Sequence, residues 1–128
     1  MRLKVKDLIW RDVVTIKPEE SVKTAIEIML KKGIRSLIVE PKDEDDCYGV
    51  ITVRDIVYRV IAKDLKPSEV RVGDIATKPI VCVNSNESVK TAAKLMTNLN
   101  LARLAVVECG EIKGIITLMD VLKASEIE

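Results

Sequence analysis

Glu20-Ser21-Val22-Lys23-Thr24-Ala25 returns letter for letter as Glu87-Ser88-Val89-Lys90-Thr91-Ala92, and a repeat this close restricts the chain to folds that can be built twice. The match extends beyond six letters. Val5 to Glu40 laid over Val72 to Val107, an offset of 67, is identical at about a third of positions. Two residues drop out of a hairpin, and Gly49-Val50-Ile51-Thr52-Val53-Arg54-Asp55 then falls on Gly114-Ile115-Ile116-Thr117-Leu118-Met119-Asp120. Both halves end on Gly-x-Ile-Thr-x-x-Asp. Each half is short for independent stability, since a unit of about 60 residues buries only about 60% of its unfolded surface, so the halves are expected to share their packing.

Periodicity gives both halves the same order of elements. Val13–Ile16 reads as a short strand, Ser21 as a helix N-cap, and Val22, Ala25, Ile26, Met29 and Leu30 as one apolar helix stripe that Gly33 stops. Ile34–Val39 is apolar enough for a strand buried between layers, Asp43-Glu44-Asp45-Asp46 is a solvated turn, and Gly49–Thr52 is a further strand. Ile56, Val57, Val60 and Ile61 mark a second helix that ends near Lys63. The second half repeats this with strand Ile80–Val83, a helix carrying Val89, Ala92, Ala93 and Met96, and strand Leu101–Val107. A tighter hairpin at Glu108–Glu111, strand Ile112–Thr117 and a helix from Leu118 follow. The chain is therefore α/β, two β-α-β-β-α repeats at 1–64 and 72–128 with a linker at 65–71, packed about a pseudo-twofold axis. Within each repeat the first two strands should be parallel and the last two antiparallel.

Composition narrows the chemistry. Lys and Arg number 21 against 20 Asp and Glu, a net charge of +1, and Trp10, Tyr48 and Tyr58 are the only aromatics. Neither a basic footprint nor a stacking platform for nucleic acid is present. No apolar run approaches a membrane span and the N-terminus lacks a signal-peptide core, so a soluble, cytoplasmic protein is expected. With no His and three widely spaced cysteines, a zinc site and the usual general base are missing, and no nucleophile elbow or phosphate loop appears. No enzyme is expected. Cys82, inside Ile80-Val81-Cys82-Val83, reads as buried, and Cys47 and Cys109 as surface thiols.

The Thr52-x-x-Asp55 and Thr117-x-x-Asp120 motifs stand where a strand becomes a helix. A hydroxyl and an acid three residues on can simply cap the helix. The same geometry can hold a phosphate at the helix start and the two hydroxyls of a ribose on the carboxylate.

The strand, the Glu-Ser-Val-Lys-Thr-Ala helix, Gly33-Ile34-Arg35-Ser36-Leu37-Ile38-Val39 and the closing Gly-x-Ile-Thr-x-x-Asp together resemble a cystathionine-beta-synthase (CBS) domain. Two in tandem resemble a stand-alone Bateman module. The resemblance implies AMP, ADP or ATP, or S-adenosylmethionine, bound in two clefts between the repeats, and a regulatory role with no other cofactor. It implies Asp55 and Asp120 as ribose ligands and Thr52 and Thr117 as phosphate-side hydroxyls. Backbone at Ile34, Arg35 and Ser36 would read adenine for the Asp120 cleft, with Arg103 near the phosphate. Leu101, Ala102 and Arg103 would serve the Asp55 cleft, with Arg35 and Arg54 toward the phosphate. Ile38 and Ala105 stand where many members have Pro, and Met119 stands opposite Arg54, so the clefts should be unequal. A homodimer stacked through helical faces, acting in trans on an effector protein, completes that expectation. The rival is a structural dimerisation module in which both Thr-x-x-Asp motifs are caps only.

Overall fold

The computed structural model describes residues 3–126. Two three-stranded sheets form, β1 (Thr15–Ile16), β2 (Ser36–Val39) and β3 (Gly49–Thr52) in one, and β4 (Cys82–Asn84), β5 (Arg103–Glu108) and β6 (Glu111–Thr117) in the other. In each, the first pair is parallel and the second antiparallel, as the loop lengths require.

Helices α1 (Val22–Lys32) and α4 (Val89–Leu99) cross between the parallel strands. Both start under a serine: Ser21 Oγ accepts from the Thr24 N–H, and Ser88 Oγ from the Thr91 N–H. Both end on a left-handed residue, Gly33 (φ 64°) and Asn100 (φ 53°), which tolerate that conformation best. After β3 the chain turns through α2 (Val53–Ile56) into a π-helical turn at Val57–Ile61. A 3-10 turn at Pro67–Glu69 and the short α3 (Val72–Ile75) follow, and α5 (Leu118–Ala124) follows β6.

The compact units are not the sequence repeats. One unit runs from Val14 to Ile80, and the other joins the chain up to Val13 to the chain from Val81 onward. Each repeat thus gives its leading segment to the other repeat's sheet. The attachments are reciprocal at the 67-residue offset: the Val5 N–H bonds the Glu87 carbonyl and the Val72 N–H the Glu20 carbonyl, each at 2.9 Å. The Val89 N–H bonds Leu3 and the Val22 N–H bonds Val70. Val5 and Val72 are fully buried in the cores they join. The cause is the open edge of β3 and β6, whose backbone groups need partners. Arg11 bridges Ile115 of β6, and Thr77 bridges Val50 of β3, both antiparallel.

Those crossings explain the glycine of Gly-x-Ile-Thr-x-x-Asp. A Cβ on Gly114 would stand 2.5 Å from Trp10 Cβ, and one on Gly49 would stand 2.8 Å from the Thr77 carbonyl oxygen.

Three expectations need correction. Cys82 is exposed, because strand alternation turns Val83 into the core and Cys82 out of it, although nearby atoms still desolvate the thiol and push its pKa up. Leu30 is 79% exposed, so the α1 stripe is narrower than its spacing implies. The strand placed at Ile80–Val83 begins at Cys82, since the Ile80 N–H is committed to the Tyr48 carbonyl within the Val14–Ile80 unit.

Candidate ligand-binding site

Thr52 and Thr117 each close an edge strand and open a helix, with extended backbone (φ −120° and −122°) that sets the hydroxyl over the first turn. At the first junction the Asp55 carboxylate accepts from the Thr52 N–H at 2.8 Å and from its hydroxyl at 3.0 Å, while Thr52 Oγ1 accepts from the Asp55 N–H at 3.1 Å. At the second, Asp120 accepts from the Thr117 N–H at 2.7 Å and its hydroxyl at 3.0 Å. Capping is therefore real in both copies. In each, the capping bonds from the threonine N–H and hydroxyl fall on one carboxylate oxygen, Oδ2, so a cap of this geometry leaves lone pairs on the other for a further donor.

The second strand of each unit lies alongside. Ser36 is in register with Thr52 and Arg103 with Thr117. The Arg35 carbonyl accepts from the Val53 N–H and the Ala102 carbonyl from the Leu118 N–H, both at 3.0 Å. Within its own unit, Ile34-Arg35-Ser36 thus flanks the Thr52–Asp55 junction, and Leu101-Ala102-Arg103 flanks Thr117–Asp120. Ile34 and Leu101 are half-buried, whereas Arg35 and Ala102 are exposed and offer backbone and side chain to solvent.

Arg54 turns along its own helix, with its guanidinium 5.3 Å from the centre of the Tyr58 ring, a cation–π contact one turn beyond the junction. Met119, its twin, is 52% exposed and apolar. At the second junction a cation comes from the leading segment: Arg11 Nε donates to Asp120 Oδ2 at 3.3 Å, and Nη2 lies 3.4 Å from Oδ1 and 3.5 Å from Thr117 Oγ1. Sequence reasoning missed Arg11. The signal was the alignment itself, which sets Arg11 opposite Lys78, a cation ahead of the first strand in both repeats.

Lys78 does not do the same work. Thr77 takes the bridge position on β3, and Lys78 bonds Asp46 at 2.6 Å. With the Lys42 and Cys47 backbone N–H groups, that ammonium holds the Asp46 carboxyl down to about 2. An open groove of about 540 Å³ beside this pair, lined by Lys42, Asp46, Arg71, Asp74 and Lys78 among others, includes none of the residues expected to bind a ligand.

A sequence profile of the CBS domain matches residues 5–62 and 72–127. The chain belongs to the CBS-domain family. Both copies of the CBS domain therefore carry the Thr-x-x-Asp junction. The pair is 36% identical to an uncharacterized protein of Methanopyrus kandleri over 93% of this chain and 61% of that protein. It is 33% identical to the inosine-5'-monophosphate dehydrogenase of Methanocaldococcus jannaschii over 94% of this chain but 23% of the dehydrogenase. The chain thus spans less than two thirds of either relative. A hexameric CBS-CP12 protein from bloom-forming cyanobacteria superposes with a TM-score of 0.89 at 37% identity, covering 99% of this chain and 74% of that one. An uncharacterized conserved protein from Pyrococcus horikoshii does so with 0.84 at 29% identity, covering 98% and 93%. Among the described residues no helix is long and apolar enough to cross a membrane.

Proposed function

We propose that this CBS pair is a regulatory module that binds an adenine nucleotide through its two Thr-x-x-Asp junctions. The observation that carries the reading is the duplicated carboxylate, capped through one oxygen at a strand-to-helix turn with a hydroxyl beside it. A ribose diol donates two hydrogen bonds, and such a carboxylate is its natural acceptor. Ligand binding would act by population shift, favouring whichever conformation binds the nucleotide better.

Self-association is part of the proposal. Val57, Tyr58 and Ile61 after α2, and Leu118, Met119 and Leu122 on α5, are 40–61% exposed. Apolar residues gathered on one element this way favour an interface, and the hexameric assembly named for the CBS-CP12 neighbour is in keeping with one. A homodimer is the assembly proposed, and it would carry the nucleotide signal to an effector protein. Light scattering should then give twice the chain mass of 14.3 kDa. A mass of one chain would remove the dimer.

The deciding experiment is thermal shift and calorimetry with AMP, ADP, ATP and S-adenosylmethionine. A ligand at 100 times its Kd stabilises by about 2.7 kcal/mol. Asp55→Ala and Asp120→Ala should each cost about 1.5–3 kcal/mol of affinity, the worth of a hydrogen bond to a charged group. Loss of melting temperature with unchanged affinity would make both motifs caps and the chain a structural module.

A further inference from the structure

Arg11 belongs to none of the motifs that define the repeats, yet its side chain reaches both oxygens of Asp120 and the Thr117 hydroxyl. Its backbone is fixed independently. The Arg11 N–H bonds the Ile115 carbonyl at 2.9 Å, the Ile115 N–H returns the bond at 3.1 Å, and Trp10 Nε1 bonds the Val5 carbonyl at 2.9 Å. The side chain is therefore not needed to hold the leading segment in place. It is half exposed, at 54%, against 12% for Asp120.

The contact is also loose. Charge-assisted N–H···O bonds run at about 2.7–2.9 Å, and these lie at 3.3–3.5 Å. An exposed pair of this kind contributes about 0–1 kcal/mol, so a better partner displaces it readily. A guanidinium finds a better partner in a phosphate, which accepts two parallel N–H bonds. A carboxylate covered by a guanidinium, conversely, is closed to a ribose until the arginine moves.

We propose, on the nucleotide-binding reading above, that Arg11 sets the ligand preference of the Thr117–Asp120 site. The guanidinium covers Asp120 until a ribose takes the carboxylate, and then turns onto the ligand's phosphate. A nucleoside must displace Arg11 with no return, whereas a nucleotide exchanges one anion for another. The site thereby selects phosphorylated ligands, using a residue from the leading segment where its own helix carries Met119.

The test is calorimetry of AMP and adenosine against the full chain in an Asp55→Ala background, which isolates the Asp120 site, with Arg11→Gln and Arg11→Lys added. Arg11→Gln should weaken AMP by about tenfold, as for loss of a charged hydrogen bond. It should leave adenosine unchanged or tighten it by up to about fivefold, the competing pair having gone. Arg11→Lys should retain part of the AMP preference. An AMP-to-adenosine ratio that Arg11→Gln leaves unchanged, including equal losses for both ligands, would assign Arg11 a structural role and overturn the inference alone. A wild-type chain that binds neither AMP nor any other adenosine ligand would overturn the nucleotide reading and this one with it.

Discussion

Thr52–Asp55 and Thr117–Asp120 start from the same motif and the same backbone geometry, and the charge around them differs with the residue on the edge-strand bridge, Thr77 at one and Arg11 at the other, and with a hairpin two residues longer in the first repeat. That longer loop supplies Asp46, which draws Lys78 away along the sheet edge at 2.6 Å. In the second repeat Cys109 and Gly110 close the hairpin with φ of 51° and 78°, a two-residue turn with no acid at its centre. Arg11 falls on Asp120. Duplication thus preserved the capping chemistry, and the loops set the electrostatics of each copy.

The comparison breaks most severely at the motif glycines. Gly114→Ala drives a methyl into Trp10 and Gly49→Ala drives one into the Thr77 carbonyl, so each should cost about 1–3 kcal/mol, read as a fall of several degrees in melting temperature. The Gly114 change should be the worse, because Trp10 Cβ stands closer, at 2.5 Å, and moves only with its backbone. Equal, negligible losses would mean that the leading segments are not held closely.

Ser21→Ala and Ser88→Ala sharpen the same comparison from the conserved side of the duplication. Each removes one N-cap, at 3.2 and 3.0 Å, and should cost about 1 kcal/mol by chemical denaturation. The two losses should agree within a few tenths of a kcal/mol; a large disparity would show that the repeats rely on their crossover helices unequally.

Cys109→Asn tests the tight hairpin. Asn tolerates a positive φ better than Cys, so the variant should melt slightly above wild type. Cys47→Asn, in the longer loop, carries no such expectation and serves as its control.

The smallest effect is the pH dependence of the longer loop. Asp46 has a folded pKa of about 2 against an ordinary 3.8, so its contribution is fully present above the ordinary value and disappears as pH falls through 2. Asp46→Asn should melt slightly below wild type at pH 7 and with it near pH 2. A gap that persists at pH 2 would assign the loss to geometry rather than to charge.

Strand order, both crossover helices and the Thr-x-x-Asp junctions were legible because each rests on local periodicity or spacing. Thr52, Asp55, Thr117 and Asp120 lie at the strand-to-helix turns where their motif puts them. What periodicity does not encode is partner choice. Val5 and Val72 read as the openings of their own repeats, and only the unpaired edges of β6 and β3 show why each joins the other unit. Cys82 failed for a related reason, since a four-residue apolar run does not say which parity faces the core. The resemblance turns Arg54 toward the phosphate, and its contact with the Tyr58 ring one turn away is one that no motif spacing announces.

The exchange of leading segments gives the two units different histories during synthesis. Everything the Val14–Ile80 unit needs is contiguous and leaves the ribosome in one stretch, so its core can close while the rest of the chain is still being made. The other unit joins the chain up to Val13 to the chain from Val81 onward. Val5 and Trp10 emerge ahead of the Val14–Ile80 unit and must wait, with apolar surface uncovered, until β6 arrives more than a hundred residues later.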